Sequence, residues 1–228
     1  MQATPLAHIN LEHELAYIIK NRLDYNTDLC EIMTACGSDK AEPFHNYTVL
    51  YDWLLSRFRK EPLFIFELGL GTNRPGAPSS MGPNFIPGAS LRGWKQYFPK
   101  AEIVGADIDR DILFQEERIR TFWTDQRNPS AIRSLWNAVG DLLFDIIIDD
   151  GLHEAAANIC FFLESFARLK PGGLYIIEDI GGVENAELTN CLARVVSCAR
   201  GYATVQQLDH PINKGDNVIF ICQKFCGF

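Results

Sequence analysis

Apolar positions follow two rhythms along the chain. Over residues 10–24, Leu11, Leu15, Ile18, Ile19 and Leu23 recur at helical spacing. A second helical pattern covers about 46–59, "NYTVLYDWLLSRFR", and the intervening "CGSDKAEPFH" is rich in turn formers. Residues 1–60 therefore predict a helical cap. Beyond them, short apolar runs alternate with amphipathic segments. Strands are predicted at 63–68, 101–108, 117–125, 143–149 and 172–179, and helices at 88–98, 129–139, 153–169 and 185–199. Two last strands, 203–209 and 216–224, are separated only by "HPINKG".

Strands alternating with helices imply right-handed crossovers. The expected class is α/β, a doubly wound, mostly parallel Rossmann-like sheet with helices on both faces. The final pair has no room for a helix between its strands, so it should close as an antiparallel hairpin. Residues 61–228 would form this second, ligand-binding domain.

Composition narrows the picture. The net charge of -8 argues against a protein that mainly grips nucleic acid or anionic lipid. No apolar run approaches the ~18 residues that span a membrane. The opening "MQATPLAHINLEHELAYII" lacks a basic start followed by an apolar block, so no secretory leader is expected. Seven cysteines, at 30, 36, 160, 191, 198, 222 and 226, include no CxxC pair and no zinc spacing, which suits buried thiols in a reducing cytoplasm.

The candidate chemistry sits where strands end. "FIFELGLGTN" runs a buried strand into Glu67, Gly69 and Gly71, and glycines there let backbone turn sharply beside a ligand. "GADID" places Asp107 where a carboxylate can accept ribose hydroxyls. Asp107 follows Gly69 by 38 residues, against a usual ~20. The excess is a proline-rich loop, 72–88, of a length that often serves as a binding wall. "TDQRN" sets Asp125 and Gln126 on the same rim, near an adenine edge or as caps of the following helix.

Two further runs, "FDIIIDDGLHE" and "GGLYIIEDIGG", each end in an acidic pair: Asp149 and Asp150, then Glu178 and Asp179. Helix capping could account for one acid. Four carboxylates on neighbouring strand ends would repel without a cation, and carboxylate oxygens suit Mg²⁺. His153, beside them, has the chemistry of a general base near neutral pH.

"FELGLG", "GADID", "TDQ" and "LKPGGLYIIED" together resemble class I S-adenosylmethionine-dependent methyltransferases, whose sheet has seven strands and ends in an antiparallel hairpin. "GSDK", "GASLRGWKQYFP", "DDGLH" and "IIED" further resemble the metal-dependent O-methyltransferases that modify macrolide sugars and polysaccharides. The resemblance implies that Asp150, Glu178 and Asp179 hold Mg²⁺ and that His153 is the base. It also implies that Asp149, Ser38 and Asp39 face S-adenosylmethionine. Leu152 stands where that family often has serine before the histidine. The implied reaction is methyl transfer to a hydroxyl of a sugar or glycosylated natural product. The alternatives are a catechol or other vicinal diol as acceptor, or a binding protein without catalysis. A small-molecule or saccharide acceptor is the expected partner, with the helical first 60 residues available for pairing with a second copy.

Overall fold

The computed structural model describes residues 4–20, 26–77, 79–181, 185–198, 201–213, 215 and 217–225. Among these residues, eight strands form one sheet: β1 (Phe64–Leu68), β2 (Glu102–Asp107), β3 (Gln115–Glu116), β4 (Ile119–Trp123), β5 (Phe144–Asp149), β6 (Leu169–Ile177), β7 (Gly201–Gln207) and β8 (Val218–Lys224). Their order is β3-β4-β2-β1-β5-β6-β8-β7. The contacts β4–β2–β1–β5–β6 are parallel, whereas β8 runs antiparallel to both β6 and β7. The seven expected strands are thus present, with the hairpin at one edge. The eighth, β3, is a two-residue antiparallel addition at the other edge, too short to leave an apolar pattern.

Strand alternation divides the core between two faces. Ile65, Ile146, Ile148, Leu174, Ile176, Ile219 and Ile221 point into one apolar cluster. Phe66, Ile147, Tyr175, Ile177, Phe220 and Cys222 point into the other. Helices α1 (Leu11–Lys20), α2 (Asp28–Cys36), α3 (Tyr47–Leu55) and α4 (Ala89–Tyr97) cover the first face with Leu15, Met33, Leu50, Leu54, Leu91 and Trp94. Helices α5 (Pro129–Val139), α6 (Ala155–Ser165) and α7 (Asn185–Cys198) cover the second with Ile132, Trp136, Phe161, Phe162, Leu188 and Leu192. Each such side chain removed from water contributes about 1.5–3 kcal/mol.

Two helices differ from expectation. α2 escaped the periodicity reading because it buries only Leu29 and Met33 fully, although Thr27 caps its start and Gly37, at φ 83°, ends it. α6 begins at Ala155 rather than at His153, and ends in a 3₁₀ turn at Phe166–Arg168. Part of the first predicted helix, residues 21–24, and Cys226 lie outside the described residues. The other six cysteines are free. Among the described residues, no helix is long and apolar enough to cross a membrane.

Candidate active site

Strand register builds the site. Leu68 of β1 pairs with Asp149 of β5, and Asp149 pairs with Ile177 of β6. The next residues therefore emerge side by side. The ladder continues one step further: Asp150 N–H donates to Leu68 O (2.9 Å), Glu178 N–H to Asp149 O (3.0 Å), Gly69 N–H to Ala106 O (2.9 Å) and Thr124 N–H to Asp107 O (3.0 Å). Gly69, Thr124, Asp150 and Glu178 thus share one rim with Asp107.

A cleft opens on this rim. Gly69, Gly71, Asp107, Asp125, Gln126, Ser38 and Asp39 line it, and so do Asp150, His153 and Asp179. The loop contributes Met81, Phe85 and Ile86 as an apolar wall. Gly69 has φ 90°, and a Cβ there would lie 1.9 Å from the carbonyl oxygen of Asp150. No other residue fits.

The Asp107 carboxylate accepts from Leu70 N–H (2.7 Å) and Asp109 N–H (2.8 Å), which aims it along the cleft. Burial pushes its carboxyl up, and these bonds oppose the shift. Asp125 accepts from the Arg127 backbone N–H (3.0 Å). The capping of α5 falls to Asn128 instead, whose side chain accepts from Ser130 and Ala131 N–H.

Asp149, Glu67 and Glu178 are not among the residues lining the cleft. Asp149 lies on the α6 side of the sheet, fully buried, and accepts from Gln126 Nε2 (2.8 Å) and Asn158 Nδ2 (3.1 Å). Burial, partly offset by Asn158, pushes its carboxyl up to about 7. Gln126 is fully engaged: its Oε1 accepts from Leu152 N–H at 2.8 Å, tying the "DDGLH" turn to the strand beside it. Glu67 is sealed beneath the rim by the Ser90 hydroxyl and the Trp94 indole N–H (2.5 Å).

Glu178 meets a residue whose part the sequence did not reveal. Lys40, 1% exposed, donates from Nζ to Glu178 and to Asp150 (2.5 Å), and lies 3.6 Å from Glu67. Tyr51 donates to the other oxygen of Glu178. Burial alone would pull the Lys40 pKa down, but Asp150, Glu178 and Glu67 outweigh it and hold it above the ordinary lysine range. Lys40 belongs to "GSDK", yet its partners stand 110 and 138 positions away.

Asp150, His153 and Asp179 bring one ligand atom each within 4.8 Å of one another. Tyr47 donates to Asp179 (2.6 Å), and His45 Nδ1 lies 3.6 Å from it. Burial and the neighbouring Asp150 push the Asp179 carboxyl up, against His45, His153 and the Tyr47 hydroxyl. His153 Nε2 lies 3.8 Å from Asp179, while its buried Nδ1 has no hydrogen-bond partner. The two carboxylates are oxygen donors that fit a divalent cation, with the imidazole beside them as a candidate base.

No family model matches the chain. It is 38% identical over 144 residues to the 8-demethyl-8-alpha-L-rhamnosyl tetracenomycin-C 2'-O-methyltransferase of Streptomyces olivaceus, covering 63% of this chain and 35% of that protein. It is 34% identical over 153 residues to the mycinamicin VI 2''-O-methyltransferase of Micromonospora griseorubida, covering 67% and 36%. Among solved structures it resembles the MycE methyltransferase of the mycinamycin biosynthetic pathway in complex with Mg, SAH and mycinamycin VI. That match has 26% identity and a TM-score of 0.65, and covers 88% of this chain and 54% of MycE. The chain is thus similar in sequence to these sugar O-methyltransferases, and in sequence and fold to MycE. The matched segment spans about a third of the length of the curated relatives, 35% and 36%.

Proposed function

We propose that this methyltransferase relative moves a methyl group from S-adenosylmethionine to a hydroxyl of a sugar carried by a natural product, with Mg²⁺ as its metal. One observation carries the reading: a single cleft is lined both by the glycine turn and Asp107 and by Asp150, His153 and Asp179. A donor and an acceptor bound in that cleft meet at the acidic cluster. Holding them in line is itself a large part of catalysis.

In this reading Gly69 and Gly71 give the cofactor close access to backbone, and Asp107 accepts from its ribose hydroxyls. Asp125 serves the adenine edge, and Ser38 and Asp39 the methionine portion. Thr124, buried with a hydroxyl lacking a partner, adds a polar group on the same wall. Asp149 acts indirectly, by fixing Gln126 and through it the turn that carries His153. Asp150 and Asp179, with Glu178 beside them, would hold Mg²⁺. When bound there, the metal supplies a Lewis acid that acidifies and orients the acceptor hydroxyl. His153 takes the hydroxyl proton at Nε2, and the Asp179 carboxylate steadies the imidazolium that forms. A cytoplasmic location fits the six described free thiols.

Calorimetry tests the cofactor half. The protein should bind S-adenosylmethionine, and Asp107→Ala should weaken binding at least about tenfold by removing charged hydrogen bonds. Absence of binding to the unaltered protein would refute the proposal.

A further inference from the structure

We propose that Lys40 is a resident counter-cation that competes with the divalent metal for the same carboxylates. The inference rests on the metal-dependent reading above and deepens it. The Lys40 ammonium is buried and reaches three acids: Asp150, Glu178 and Glu67. Asp150 is shared, because it also belongs to the group with His153 and Asp179 that is close enough to hold a metal. Glu178 is the chain neighbour of Asp179 and is occupied by Lys40 and Tyr51. Two cations thus have claims on one acidic pocket.

The charge count makes this workable. Asp39 and Asp179 line the same cleft as Asp150, so the pocket gathers more carboxyl groups than one ammonium can pair. Glu67 lies behind Lys40 and is itself held by Ser90 and Trp94. It gives the ammonium an anchor when a metal draws on Asp150 and Glu178. Without Lys40, buried Glu67 and Glu178 and half-buried Asp150 would face one another with no cation among them, which is destabilising. Lys40 therefore keeps the metal-free protein folded, at the cost of weaker metal binding through repulsion at short range.

Lys40→Met, similar in length but uncharged, separates this role from simple packing. Mn²⁺ binding is read by electron paramagnetic resonance, and melting is followed in EDTA and in Mg²⁺. The variant should bind Mn²⁺ on the order of tenfold more tightly or better. Its melting temperature should fall in EDTA and recover in Mg²⁺ by more than that of the unaltered protein. Should Lys40→Met not fold, Lys40→Gln, which keeps an N–H donor, should show the same tightening. Unchanged or weaker Mn²⁺ binding in a folded neutral variant would overturn the competition while leaving the metal reading intact. No Mn²⁺ binding in the unaltered protein or in either variant would overturn both.

Discussion

His153 Nε2 lies 3.8 Å from Asp179 Oδ2, and both residues hold left-handed backbone, at φ 59° and 55°. Such a conformation costs a non-glycine residue about 1–2 kcal/mol. Two of them facing each other across a rim mark a place where side-chain position outweighs backbone comfort. Asparagine tolerates this region better than most residues. Asp179→Asn should therefore fold normally yet bind metal at least about tenfold more weakly. Asp179→Ala should lose the same metal affinity and about 1 kcal/mol of stability besides. Metal titration and urea melts of the two variants check this. Undiminished metal binding in Asp179→Asn would remove that residue from the site.

Gly69 and Gly140 share a positive φ, 90° and 87°, but not their surroundings. A Cβ at Gly69 meets the Asp150 carbonyl at 1.9 Å, whereas none of the described atoms lies within 4 Å of one at Gly140. Gly69→Ala should cost about 3 kcal/mol or more, because backbone must move. Gly140→Ala should cost only the conformational penalty of a backbone region that glycine alone adopts readily, about 1–3 kcal/mol, and so less than Gly69→Ala, which adds a clash to its own penalty. Equal losses in urea melts would mean that the rim yields where the packing says it cannot.

Asp149 gives stability a pH dependence of definite sign. Burial raises its carboxyl from an ordinary 3.8 to about 7. The native protein then retains a proton that the unfolded chain gives up. The stability this confers is complete below about pH 4 and is lost as pH rises through about 7, on the order of a few kcal/mol. In metal-free buffer, the unaltered protein should lose stability relative to Asp149→Asn across that window. Parallel pH profiles for the two proteins would show that Asp149 titrates normally.

The sheet was legible in the sequence because apolar runs and their breaks are local. Strand parity even separates the adjacent aspartates. Asp149 follows Ile147 toward α6, and Asp150 follows Ile148 toward the layer that holds Lys40. What was not legible depends on distance along the chain. The need for a cation among the acids was readable, but Lys40, which meets it in part, stands 110 residues from Asp150. Glu67 was readable as an acid at a strand end, yet Ser90 and Trp94, which seal it away, lie on helix α4. His153 was readable as a candidate base, but its left-handed backbone, before the helix rather than on it, was not.

The central claim is metal-dependent methyl transfer to a sugar hydroxyl. The direct measurement follows radiolabelled methyl from S-adenosylmethionine onto a panel of glycosylated natural products, in Mg²⁺ and in excess EDTA. Label should appear in an ether on the sugar with Mg²⁺, with none in EDTA and none with His153→Ala in Mg²⁺. Equal transfer in EDTA, or transfer undiminished by the loss of His153, would contradict it.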